Sequence, residues 1–240
     1  MPCRILAAVM LALVASATFV IGSPAATAVS GNQSGTWDVV GSPYIITTNV
    51  QIPVGQTLII EAGVEVHLAF NAFFQANGTL DVQGTSPNPV TFTSSEASPA
   101  PGDWRGILVG PNANLDLDYL WIQYGGGSSY ACLATVGTAA LITWNGGGAS
   151  YSADEGIDIT ATDIVLENLL IEQNTESGIE VDSTNPPILN SIVVNDNGVG
   201  SGATASRSRR RPPPTSRPCC LATPASSTSS PQRTSSGVRT

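Results

Sequence analysis

Between Trp37 and Gly202 the chain runs in short stretches of alternating apolar and polar residues, broken by Gly, Pro, Asn and Asp. "YIIT", "VQIP", "TLIIEA", "VEVHLAF", "TLDVQG", "PVTFTS" and "RGILVG" come first. "LDLDYLWIQY", "AALITW", "GIDIT", "TDIVLENLLIEQ", "GIEV" and "ILNSIVVND" follow. A period of two, with Val, Ile, Leu and Thr on the apolar beat, is the signature of half-buried strands. No stretch of similar length combines helical spacing with capping residues. The pattern predicts an all-β chain.

The strands also recur. "QTLIIEAG" (56–63) aligns with "GTLDVQGT" (78–85) at an offset of 22, and "ENLLIEQN" (167–174) with "NSIVVNDN" (190–197) at an offset of 23. A repeat of this length holds one supersecondary unit that cannot bury its own apolar face. Winding the units into a coil solves the problem, because equivalent side chains then stack about 4.8 Å apart and each strand gains a neighbour on both sides. Roughly seven coils fit between Trp37 and Gly202, a stack on the order of 35 Å long. Asn174 and Asn197 fall at equivalent turn positions. Their amides can form a ladder from coil to coil, since each carries both a donor and an acceptor. A two-sheet sandwich is the competing architecture, but it does not require side chains to recur at a fixed offset.

Three segments resemble one family. "NVQIPVGQTLIIEAGVEVHLAFNAFFQANGTLDVQGTSPNPVTFTSS", "GDWRGILVG" with "LDYLWIQYGGG", and "GIEVDSTNPPILNSIVVNDNGVGSG" are similar to coils of secreted bacterial right-handed parallel β-helix proteins of the pectin-lyase-like superfamily. The resemblance implies a right-handed parallel β-helix and export. It implies little about activity, because that fold carries lyases, hydrolases, adhesins and structural proteins alike.

Charge is distributed unevenly. All 18 acidic residues lie between Asp38 and Asp196, Lys is absent, and Arg105 is the sole basic side chain opposing them. So acidic a body argues against nucleic acid as its partner. Arg4, the apolar segment Ile5 to Ile21 and the small-x-small site Ala26-Thr27-Ala28 read as a secretory signal over 1–28, with the mature chain starting near Val29. No later segment is long and apolar enough to span a bilayer. The expected location is secreted or at the cell surface. Cys132 stands alone in the body, which excludes a disulfide framework and marks it as a small buried hydrophobe.

Sugar-cleaving relatives imply paired carboxylates with Gly-His-Gly and Arg-x-Lys, or an Asp cluster holding calcium beside a basic residue. His67, the only His, sits between Val66 and Leu68, and no two Asp are adjacent. Arg105 reads as an outward, solvated residue. No catalytic residue is assigned. Two acidic groupings remain as candidate sites. In "LDLDY", Asp116 and Asp118 share one outward strand face, and Trp121 falls outside after a shift of the inward set to Leu120, Ile122 and Tyr124. Two carboxylates beside an exposed Trp suit a carbohydrate patch. In "SADEGIDITATD", Asp154, Glu155 and Asp158 are candidate ligands of calcium, the one cofactor considered. Solvated acidic turns are the plainer reading of each. Trp37, Trp104 and Trp144 fit a core better than a sugar-stacking row.

Beyond a β-helix domain over 29–204, composition turns abruptly to Arg, Pro, Ser and Thr over 205–240, with no acidic or aromatic residue. Such a segment is expected to be disordered. A frame shift within a GC-rich gene is the favoured explanation, over a basic tail for an anionic polymer or a polyproline ligand. The sequence thus predicts a non-catalytic, structural or adhesive β-helix module whose partner is a polysaccharide or cell-surface glycan. The alternative is a lyase or hydrolase whose active site is lost or lies downstream.

Overall fold

Every coil begins with a strand whose apolar side chains point inward and whose polar ones point out. The computed structural model describes residues 25–198 and 207–209. Its strands are β1 (Thr27–Asn32), β2 (Gly35–Trp37), β3 (Tyr44–Ile52), β4 (Thr57–Glu61), β5 (Glu65–Leu68), β6 (Phe73–Ala76), β7 (Thr79–Gln83), β8 (Val90–Ser94) and β9 (Ile107–Val109). They continue as β10 (Asn114–Gln123), β11 (Leu133–Thr135), β12 (Ala139–Ser150), β13 (Ile157–Glu167), β14 (Leu170–Glu172), β15 (Ile179–Ser183), β16 (Ile188–Asn190), β17 (Val193–Asn195) and β18 (Arg207–Arg209). No helix occurs among the described residues, and so none long and apolar enough to cross a membrane.

Parallel pairing winds these strands into a solenoid with three faces. Face A stacks β2, β4, β7, the start of β10, the start of β12, the end of β13, and β16. Face B stacks the start of β1 and of β3, then β5, β8, the end of β10, the end of β12, β14 and β17. Face C stacks the ends of β1 and β3, then β6, β9, β11, the start of β13, β15 and β18. The chain visits A, B and C in turn and rises one coil each time. The seven strands on face A match the number of coils expected, and pairing in three directions rules out the sandwich.

The repeat offsets mark real register at both ends of the solenoid. Thr57 pairs with Thr79, and Leu170 with Val193. The middle departs from them: Thr79 pairs with Asn114, and Asn114 with Leu141. Longer loops between faces B and C, over 95–106 and 124–132, account for most of the jump. Inward side chains form continuous rows. Trp37, Ile60, Val82, Leu117, Trp144 and Leu166 are successive register partners on face A, and all are buried. Burying each large aliphatic member stabilises the fold by about 1.5–3 kcal/mol. Aromatic packing closes the first coils: Trp37 stacks on Tyr44 at 4.5 Å, and Phe74 lies edge-on to Trp37 and Phe92 at 6.1 and 5.3 Å.

Some corners are sharp enough for a strand to pass through. "YIIT" and "VQIP" merge into β3, and "GIDIT" and "TDIVLE" into β13. β10 turns from face A to face B at Tyr119, whose φ is 44°; Gly146, Asn168 and Ser191 hold the same corner on the next three coils, with φ of 81°, 55° and 54°. A single residue in the left-handed region turns the chain without a loop. Face B meets face C at Tyr124, Tyr151, Gln173 and Asp196, again all left-handed.

The ladder predicted for Asn174 and Asn197 is present. The Asn174 amide donates to Asn197 Oδ1 at 2.8 Å and to the Ala149 carbonyl at 3.3 Å, and its Oδ1 accepts from the Ser152 amide at 2.9 Å. The expected signal segment lies outside the described residues up to residue 24. Thr27 and Ala28 pair with Tyr44 and Ile45, so the expected mature start near Val29 falls inside β1. Of the 205–240 tail, residues 207–209 are described, as the backbone strand β18; the remainder lies outside the described residues.

Candidate functional site

The sharp A–B corner builds a groove. It is about 440 Å³ in volume and is lined by Ser86, Pro89, Tyr119, Trp121, Gly146, Gly147, Asn168, Leu169, Leu170, Ser191 and Val193. Trp121 reaches it because the left-handed Tyr119 resets the alternation: Leu115 and Leu117 point inward before the corner, Leu120 and Ile122 after it. Tyr124, expected inward, is half-buried and left-handed, because the chain turns again there. Its ring stacks on that of Tyr151, one coil on, at 5.0 Å.

The glycine run Gly146-Gly147-Gly148 is required by close backbone approach. A Cβ on Gly147 would lie 1.9 Å from the Leu120 carbonyl oxygen, and one on Gly148 1.7 Å from that of Leu170. From the core side, the buried Trp144 donates its Nε1–H to the Gly146 carbonyl at 3.0 Å. On the outer side, Trp121 and Gly148 are register partners. No side chain therefore stands beside the indole on that coil.

Asp116 and Asp118 do not join Trp121. They project from face A, before the corner, and the groove does not include them. Their neighbours are set by register. Asp116 lies between Asp81 and Thr143, and its Oδ1 accepts the Thr143 hydroxyl at 2.6 Å. Asp118 belongs to an outer row that alternates acid and amide: Glu61, Gln83, Asp118, Asn145, Glu167, Asn190. Asn145 donates to Asp118 at 3.4 Å and Asn190 to Glu167 at 3.5 Å. Interleaved amides keep like charges of this row two coils apart, where water screens them well.

A second grouping forms where the B–C turns stack. Oxygens of Asp154, Glu155 and Glu176 lie within 4.8 Å of one another. Asp154 and Glu176 open onto a pocket of about 450 Å³ walled by the loops at Gly102 and Gly126–Ser129. Glu176 stands one coil beyond Asp154, and its amide donates to the Asp154 carbonyl at 3.3 Å. The sequence named Asp154 and Glu155 but missed Glu176, although the offset of 22 from Asp154 is legible in it. Asp158 instead follows Ile157 at the start of β13 on face C. Burial pushes the Glu155 carboxyl up to about 7, and the neighbouring Asp154 charge, a hydrogen bond with Asp154 and the charge of Asp158 add to the rise. Three carboxylates would supply part of the shell of six to eight oxygens that calcium takes, the rest falling to carbonyls and water. Protonation of Glu155 relieves its repulsion with Asp154.

The other singled-out residues are structural. Cys132 is fully buried, and burial lifts its thiol up to about 12, far from a reactive thiolate. His67 projects from β5 and pairs with Glu65 at 3.2 Å. Arg105 is held rather than free: its Nε donates to Asn71 at 2.9 Å and its guanidinium lies 5.7 Å from the Phe73 ring centre. Trp37, Trp104 and Trp144 are all buried in the core.

Residues 32–128 match the family described as pectate-lyase like beta helix domain. That match and the parallel solenoid fit the pectin-lyase-like β-helix proteins. No curated protein and no solved structure matches the chain.

Proposed function

We propose that the chain is a non-catalytic β-helix module that binds a carbohydrate polymer outside the cell or at its surface. The observation that carries this reading is the A–B corner groove, where Trp121 and Tyr119 border a glycine run in a wall otherwise regular. Aromatic faces beside neutral hydrogen-bonding groups are what sugar rings pack against, since a pyranose offers C–H bonds on its faces and hydroxyls on its rim. The rest of the solenoid supplies rigidity. A panel of immobilised glycans tests the reading. Retention of the chain, lost in Trp121→Ala without a change in melting temperature, supports it. Retention that ignores Trp121 removes it.

A second reading has one observation in its favour. A carboxyl raised to about 7 beside a second carboxylate is the kind of proton donor a glycoside hydrolase uses as its acid. Release of reducing ends from polysaccharide, abolished by Glu155→Gln, supports this reading and ends the non-catalytic one.

A further inference from the structure

The groove has a direction. Pro89, Trp121, Gly147, Leu170 and Val193 enter it from five successive coils, so it runs parallel to the solenoid axis. Four steps of about 4.8 Å give it a length on the order of 20 Å. Trp121, Leu170 and Val193 line it and, with the buried Gly148 between Trp121 and Leu170, are consecutive register partners in a single row. Leu170 is half-buried and Val193 is 56% exposed.

It also has a charge character. No charged residue lines it, although 18 carboxylates and Arg105 lie between Asp38 and Asp196. The polar lining groups, Ser86, Asn168 and Ser191, are neutral. Across the axis the situation reverses. Asp118 and Glu167 project from face A on one side, and Glu172 occupies the next outward row of face B on the other. A ligand lying across the solenoid would cross those carboxylates; one lying along the axis avoids them. A polyuronate would be repelled in either orientation.

Resting on the carbohydrate-binding reading above, we infer that the groove takes a neutral, unbranched glycan laid along the coil axis, with successive sugars meeting successive coils. A pyranose unit of an extended chain is about as long as the ~4.8 Å coil spacing. Each coil then offers one sugar-sized step: the indole of Trp121, the bare backbone at Gly147, the side chain of Leu170, then that of Val193. Like steps in a row make affinity depend on chain length, and neutral contacts make it indifferent to salt.

Calorimetric titration of the full chain tests this with neutral linear oligosaccharides of increasing length (glucans, xylans, mannans and chitin oligomers) and with galacturonate oligomers of matched length. For at least one neutral series, affinity is expected to climb with each added sugar and level off at roughly four to five units, the length of the groove. Galacturonate is expected not to bind. Trp121→Ala is expected to weaken every neutral oligomer roughly tenfold. Val193→Glu, at the far end, is expected to weaken only the longest ones. Length-independent binding, or equal binding of galacturonate, overturns the axial neutral chain while leaving carbohydrate binding itself intact. No binding to any glycan overturns both. A dimer in sedimentation that dissociates in Val193→Glu assigns the groove to a second copy and also overturns the proposal.

Discussion

Asn174 and Asn197, equivalent residues on adjacent coils, are joined amide to carbonyl at 2.8 Å, and Asn197 in turn donates to the Ile171 carbonyl at 2.9 Å. Asn174 is fully buried, and its side chain makes three hydrogen bonds. Removing its side chain takes the acceptor from the Ser152 amide and a donor from the Ala149 carbonyl and Asn197 Oδ1. Asn174→Ala is therefore expected to cost about 2–4 kcal/mol in denaturant unfolding, more than an ordinary hydrogen bond, because buried groups lose their partners. Asn174→Asp should be no milder, since it sets a carboxylate oxygen against the Ala149 carbonyl and Asn197 Oδ1. A midpoint unchanged by both variants would show that the ladder contributes nothing.

Phe74 ties the first coils together. It lies between Trp37 and Phe92, edge-on to both, with no exposed surface. Phe74→Ala is expected to destabilise by about 3–5 kcal/mol, and Phe74→Leu by clearly less, because a leucine refills most of the cavity. Equal losses for the two would mean that ring geometry rather than volume holds this end. Urea unfolding followed by tryptophan fluorescence reads the difference.

How much of this was legible in the sequence depends on whether the signal was local. Strand identity, the parallel coil and the Asn174–Asn197 ladder all follow from period and offset, which are one-dimensional. The corners do not. Tyr119 gives no sequence sign of a left-handed backbone, so the chain up to Asp118 and the chain from Leu120 read as one face when they belong to two. That is why period alone groups Trp121 with Asp116 and Asp118. β11 was missed because "LAT" is three residues between loops, and its apolar partners Ile107 and Ile157 are distant in sequence. The groove depends on Gly146, Gly147 and Gly148 meeting a corner. A glycine run alone suggests only a loop.

Glu155 sets a pH dependence whose sign is fixed. Its carboxyl titrates near 7 in the fold, against about 4.5 when free, so the folded state holds the proton more tightly than the unfolded one. This contribution to stability is complete below pH ~4.5 and is lost as pH rises through ~7. The melting temperature is expected to fall between pH 5 and 8, and Glu155→Gln to flatten that slope. Glu155 is partly open to solvent, which keeps the effect small. An unchanged slope in the variant would place the titrating group elsewhere.

Metal removal probes the same carboxyls from another side. Asp154, Glu155 and Glu176 supply only part of a calcium shell from the protein, and at neutral pH a proton competes for Glu155. A chelator is expected to leave the melting temperature unchanged. Added millimolar calcium is expected to raise it only above pH ~7, once Glu155 ionises. A melting temperature that collapses in chelator at pH 6 would mean a complete site, with ligands beyond these three.

The acidic row on face A separates charge from recognition. Asp81 and Asp116 are direct register partners, so two carboxylates face each other one coil apart. Gln83 donates to Asp81 at 2.9 Å and Thr143 to Asp116 at 2.6 Å, which relieves the pair without removing its repulsion. Asp116→Asn keeps the shape and an oxygen able to accept from Thr143. It is expected to stabilise the fold slightly at low ionic strength, by a few tenths of a kcal/mol, with the gain vanishing in salt. Because Tyr119 turns Trp121 onto the next face, the same substitution, alone or with Asp118→Asn, should leave glycan affinity where it was. If instead affinity falls with Asp118→Asn as far as with Trp121→Ala, the ligand bridges the corner and the carboxylate belongs to its site.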